Sequence, residues 1–235
     1  MTILLALIAT LAVATLVFFG ALSLQDKSRI EELERSSDRG KIRWHAELAK
    51  AKGQQTVRLP LTEVHYVVPR NWDDALANFH LVIAEPVDSR SHVTTYEIQT
   101  WYKFRLIEEL SVPTTDCTGC AAAIEPPVDL LPLQANEFLT AKSGGETSVD
   151  GITITSSDPR FPNFETGKRY LLLVVFDANK TVGLLRSGPW GTFALEADEK
   201  LKPVNAELKH PFREKLSEQF GNSLPNLRRF LKTKK

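Results

Sequence analysis

The sequence predicts a mainly β protein with flanking helices: an N-terminal membrane helix, an antiparallel open β-barrel of OB-like type, and two C-terminal amphipathic helices. Three observations predict it. Residues 1–24 carry no charged side chain, although the chain of 235 residues has 29 Lys plus Arg and 29 Asp plus Glu. From Thr56 to Leu195 apolar residues alternate or form short runs, the period of strands. From Leu208 to Leu231 they recur at helical spacing.

Composition bounds the function classes. With 43% hydrophobic and 25% charged residues, the chain has an ordinary globular make-up and is neither a disordered tail nor a collagen-like repeat. A formal net charge of zero gives no global field for polyanions, so no nucleic-acid partner is expected. Two cysteines cannot build a disulfide framework.

Between Ile3 and Leu22 only Thr10, Thr15 and Gly20 are not strongly apolar. As a helix this run spans roughly 30 Å, the thickness of a hydrocarbon core, and no polar stripe marks it as a surface helix. Residues 1–24 are therefore expected to be a transmembrane anchor or signal segment, with the bilayer as partner of residues 3–22. A small-x-small cleavage site can be read at Ala21-Leu22-Ser23, but the run is long for a signal peptide, which favours an anchor. Lys27, Arg29, Arg35, Arg39, Lys41 and Arg43 would by themselves hold the following side in the cytoplasm. Long downstream domains translocate regardless of such charges, and the expected location is a single-pass cell-membrane protein with an extracytoplasmic C-terminal domain, or a secreted or periplasmic one after cleavage.

Residues 25–53 read as a charged juxtamembrane stalk. Ile30 and Leu33 sit among Glu31, Glu32, Glu34 and Arg35 in one short helix, Ser36-Ser37 and Gly40 break it, and Lys41–Lys52 form a second. The β domain is expected over 54–204. Val57, Leu59 and Leu61 alternate, and Val64–Val68 is β-rich. Asn71–Phe79 is a short helix with Asn71 as N-cap and Asp73 and Asp74 facing the helix dipole. His80–Ala84 is an apolar strand. Over Thr94–Leu106 the even positions are mostly apolar or aromatic and the odd ones mostly polar, a half-buried strand roughly 40 Å long that suits a coiled barrel strand. Glu137–Ala141 and Ile152–Thr155 are short strands, with a turn at Asp150-Gly151. Tyr170–Phe176 is apolar on both faces, as a central strand is, and Thr181–Arg186 and Trp190–Leu195 follow as strands.

Residues 205–235 are expected to be a helical pair packed on the β domain. Leu208, Phe212, Leu216 and Phe220 recur every fourth residue, and Gly221 stands where a helix-ending glycine belongs. Ser223 caps a second helix with Leu224, Leu227, Phe230 and Leu231 on one face and a basic end suited to water or lipid headgroups.

Phe164–Leu173 (FETGKRYLLL), followed by Gly191-Thr192-Phe193, resembles a pattern in small bacterial envelope and exported proteins, and the stretch from Asp73 to Leu110 is similar to theirs. The resemblance covers about residues 70–195. It implies an open barrel comparable with OB-type and netrin-like modules and an exported location, and it transfers no catalytic residue.

Candidate chemistry is sparse. Cys117-Thr118-Gly119-Cys120 lies in a Pro- and Thr-rich loop without the βαβ context of a thioredoxin site, so a small structural disulfide is the first reading. Redox activity, free thiols and a metal contact are the others. His65, His80, His92 and His210 have no ligand spacing, and no phosphate-loop, zinc-protease or nucleophile-elbow motif occurs, so no catalytic residue, metal or cofactor is expected. Trp101, on the polar face of the long strand, is either covered by a C-terminal helix or an exposed binding contact. Trp190, between Gly188-Pro189 and Gly191, is a packed turn residue or a loop-tip contact. These two are the candidate binding surface. The function expected is a non-enzymatic binding or interaction module of the cell envelope with a protein partner. The alternatives are an extracytoplasmic thiol–disulfide enzyme using Cys117 and Cys120, and a purely structural envelope component.

Overall fold

The computed structural model describes residues 26–60, 64–115 and 126–234. The apolar N-terminal segment and the Cys117/Cys120 loop lie outside the described residues. The described residues divide into two compact units, one drawn from 26–59, 93–97 and 146–155, the other from 60, 64–92, 98–115, 126–145 and 156–234.

In the first unit, residues 26–35 form helix α1 and Ile42–Ala51 form α2. A solvated stalk was the expectation for this stretch, yet α2 buries Ile42, Trp44, Ala46 and Ala49. The Trp44 indole Nε1–H donates to the Leu33 carbonyl at 2.6 Å, and the Ile42 N–H donates to the Thr95 carbonyl at 3.0 Å. The apolar stripe of α2 is short, but one tryptophan supplies much of its area. Strand β1 (Thr56–Arg58) pairs in parallel with β6 (Ile152–Ser156), which also neighbours β5 (Gly145–Val149). The β5–β6 turn is at Asp150-Gly151, both with positive φ, as expected.

The second unit is built on a mostly antiparallel sheet. Helix α3 (Trp72–Asn78) leads into β2 (His80–Val93), β3 (Ile98–Ser111) and β4 (Glu137–Ser143). Then come β7 (Tyr170–Phe176), the two-residue β8 (Gly183–Leu184), β9 (Thr192–Leu195) and β10 (Leu201–Pro203). The order is β10-β9-β7-β2-β3-β4, with β8 paired to β7 off this path. Helices α4 (Pro211–Phe220) and α5 (Leu224–Thr233) follow, so the C-terminal pair is present.

The barrel is corrected: the sheets are open. β4 meets Val182 through one isolated bridge at Leu139, and no ladder joins the sheet's two edges. Strand length was a poor guide because it reflects a long hairpin instead. β2 continues through Glu85–Val93, nine residues past its apolar start, and β3 begins at Ile98 rather than Thr94. The turn between them is set by Thr94, whose Oγ1 accepts from the Glu97 N–H at 3.1 Å and donates to the Glu97 carbonyl. Thr, Tyr and Glu carry no turn signature of the Gly or Pro kind, so the side-chain cap was hidden within a strand-like period.

β7 is buried along its whole length. Leu171, Leu173 and Val175 face a core shared with α3, α4 and α5, containing Trp72, Leu81, Ile83, Phe212, Leu216, Leu227 and Leu231. Tyr170, Leu172, Val174 and Phe176 face the opposite way, into an aromatic core with Tyr102, Phe104, Phe138, Phe161 and Phe164. A strand covered on both sides explains why its sequence shows no alternation. No helix among the described residues is long and apolar enough to cross a membrane.

Candidate functional site

The second unit carries a groove of about 790 Å³ lined by α3, α4 and α5. Each helix reaches it through a local rule. α3 is started by Asn71, whose Oδ1 accepts from the Asp74 N–H at 2.9 Å, while the Asp74 carboxylate accepts from the Arg70 N–H at 2.9 Å. That places Trp72 in the first turn, where it is buried against Phe212 (ring centroids 4.7 Å apart) and Phe220 (5.4 Å). α4 ends at Gly221, which is left-handed at φ 58° and returns N–H bonds to the last turn. Ser223 then accepts from the Asn226 N–H and starts α5 two residues later, which brings Phe230 to 5.0 Å from Phe220.

Trp72, Phe220 and Phe230 make an aromatic floor, and Lys215, Arg229 and Lys234 stand on the rim with Asp73. Lys234 is committed: its Nζ donates to Asp73 at 2.9 Å and lies 5.3 Å from the Phe230 ring centre. Lys215 and Arg229 make no ion pair among the described residues. The Trp72 Nε1–H is buried and meets no acceptor among the described residues, whereas a buried indole N–H ordinarily has one. Arg228, beside Arg229, is used structurally, pairing with Glu108 of β3 at 2.5 Å and Glu199 at 3.1 Å.

Two polar clusters lie elsewhere in this unit. On one face of β4, Lys142 is buried at 6% exposure, and its Nζ donates to Asn163 at 2.7 Å. Burial pushes its ammonium down to about 8, against the pull of the Asp158 carboxylate. Asp158, itself buried, accepts from the Tyr66 hydroxyl at 3.1 Å and pairs with Arg160 at 3.3 Å. Burial first, then Asp158, raises the Tyr66 phenol. In the other cluster, Glu109 bonds His80 Nδ1 at 2.6 Å and Lys180 at 2.9 Å beside a cavity of about 290 Å³. Burial alone would raise the Glu109 carboxyl, but the hydrogen bonds from Lys180 and His80 outweigh it and hold the group below the usual carboxylate range.

Trp101 is 3% exposed and packs with Leu130, Leu139 and Val182, covered by the turn at Val128–Leu130 rather than by a C-terminal helix. Trp190 is half-buried and tilted against Tyr66 at 5.6 Å. The structure does not bring these two tryptophans together with the groove. Cys117 and Cys120 lie outside the described residues. No group of three metal-ligating side chains converges among the described residues. The periodicity puts Phe220 and Phe230 on apolar helix faces and Asp73 in the first turn of α3, but carries no signal that these surfaces meet around Trp72. Compared with family models, curated proteins and solved structures, the chain matches none.

Proposed function

We propose that the protein is a membrane-tethered or exported binding module of the cell envelope, and that its ligand sits in the groove between α3, α4 and α5. The observation that carries the reading is an aromatic floor of Trp72, Phe220 and Phe230 in a concavity of about 790 Å³. That volume lies within the range of small-molecule sites, roughly 300–1,000 Å³, and the rings stand among polar side chains that can fix a ligand's orientation. The uncharged run at residues 1–24 supports the tether. The compartment rests on the sequence resemblance of about residues 70–195 to exported proteins.

A screen of water-soluble aromatic compounds by saturation-transfer NMR tests the groove. It uses the full chain in phosphatidylcholine nanodiscs, with empty nanodiscs as the blank. Gln219 lines the groove, is exposed and its side chain makes no hydrogen bond among the described residues, so Gln219→Trp fills the space with little cost to folding. Hits that disappear in that variant at unchanged Tm are expected. Hits indifferent to it would place binding elsewhere. For the compartment, a phosphatase reporter that is active only outside the cytoplasm is expected to be active when fused after Lys235, and an inactive fusion of normal abundance contradicts the assignment.

A further inference from the structure

We infer that the groove on α3, α4 and α5 takes a small soluble organic anion, a carboxylate, sulfonate or phosphate carried on a flat apolar body. This rests on the binding-module reading above and adds the charge and shape of the ligand. Two independent observations point to it.

The first is the charge on the rim. Lys215, Arg229 and Lys234 face one carboxylate, Asp73, which Lys234 already neutralises at 2.9 Å. Two cations therefore remain at the mouth of an aromatic concavity without an anion among the described residues. Arg228 shows the contrast, because one helix position away its guanidinium is held by Glu108 and Glu199. The fold thus supplies two acids to Arg228 and, at the groove, only Asp73, which Lys234 already pairs. A cation beside a low-dielectric wall is less screened than one in open water, and a guanidinium presents paired donors to a planar anion.

The second is the orphaned donor. Trp72 is 3% exposed, and its Nε1–H reaches no acceptor among the described residues. Such a donor costs free energy until an acceptor arrives, and an anionic oxygen is the strongest acceptor available. The half-buried ring of Phe230 supplies apolar surface for a flat ring system, with Phe220 and Trp72 packed behind it. Unpaired cations in the lining, an indole donor without an acceptor and aromatic rings beside them select an amphiphilic anion over a neutral or cationic compound.

The matched pair 2-naphthoate and 2-naphthamide tests this, since the two share shape and differ in charge. Binding to the full chain in phosphatidylcholine nanodiscs is read by equilibrium dialysis, with empty nanodiscs as the blank. The naphthoate is expected to bind at least about tenfold more tightly, the scale of one charge-assisted hydrogen bond. The double variant Lys215→Gln/Arg229→Gln should bring the naphthoate to the level of the naphthamide at unchanged Tm. Equal affinities in the natural chain, both lost in Gln219→Trp, would overturn the anion assignment and leave the groove as a binding site. Absence of binding by both compounds at millimolar concentration, or binding indifferent to Gln219→Trp, would overturn both. Loss of naphthoate binding on changing the nanodisc to phosphatidylglycerol would assign the groove to lipid headgroups and overturn the soluble ligand.

Discussion

Lys142 carries a cost that the surrounding residues only partly offset. Its buried ammonium has one hydrogen-bond acceptor among the described residues, Asn163, and the ring of Phe161 at 5.7 Å, with Asp158 acting at longer range. In the folded chain the group titrates at about 8, below its ordinary value of 10.5. Over that interval the unfolded chain holds more protons, so stability rises with pH from about 8 towards 10. Below the interval both states are charged and the full penalty applies, on the order of 3 kcal/mol. Burial has the opposite effect on Tyr102, whose phenol is pushed up to about 12, so its contribution is lost as pH rises above the ordinary phenol value of 10.0. Denaturant unfolding of the natural chain should therefore show a gain of roughly 1–2 kcal/mol between pH 7.5 and 9.5. Lys142→Met should be more stable than the natural chain at pH 7 and should abolish that gain. Asn163 is exposed, so water replaces its lost donor. Unchanged stability at pH 7, together with a retained alkaline rise, would show that Lys142 is not the group responsible.

At the scale of elements, the joint before β9 is the tightest. The turn at Gly188–Gly191 carries Trp190, and Gly188 has φ 48° with the Tyr66 ring directly over it. A Cβ there would meet Tyr66 Cε1 at 2.1 Å. Gly188→Ala combines left-handed backbone strain with displacement of the ring whose hydroxyl bonds Asp158, and should cost about 2 kcal/mol or more. Thermal or denaturant unfolding reads this, and an unmoved midpoint would mean that Tyr66 is not fixed where the structure puts it. Elements whose signals are local were legible in the sequence. Asn71 and Ser223 act as N-caps, Gly221 ends α4, and the unbroken YLLLVVF of β7 is buried on both faces. Elements set by side-chain caps or distant pairing were not legible. The Thr94 turn has no Gly or Pro, and Glu85–Val93 pairs as strand despite its charges because the hairpin partner supplies the backbone bonds.

For the whole molecule, the helices and the two-faced sheet follow from periodicity, whereas closure does not. The same alternating strand fits a barrel or an open sheet, and only the edges decide. The groove was illegible for a related reason. Trp72, Phe220 and Phe230 each read as an ordinary core residue of its own amphipathic helix, and Lys215 and Arg229 as solvated charges. Only the packing of α3 with α4 and α5 turns three apolar stripes and two surface cations into a concavity with an aromatic floor. Trp101 and Trp190 stood out because each tryptophan is conspicuous alone, but Trp101 spends its surface on Leu130, Leu139 and Val182.

That the helix-built groove is where this protein binds is tested most directly by hydrogen–deuterium exchange of the full chain in nanodiscs, with and without saturating 2-naphthoate. Slower exchange is expected in peptides covering Trp72–Asn78, Pro211–Phe220 and Leu224–Thr233, with the β2–β3 hairpin unchanged. Protection centred on the sheet edges, or none at all in the three helices, would contradict it.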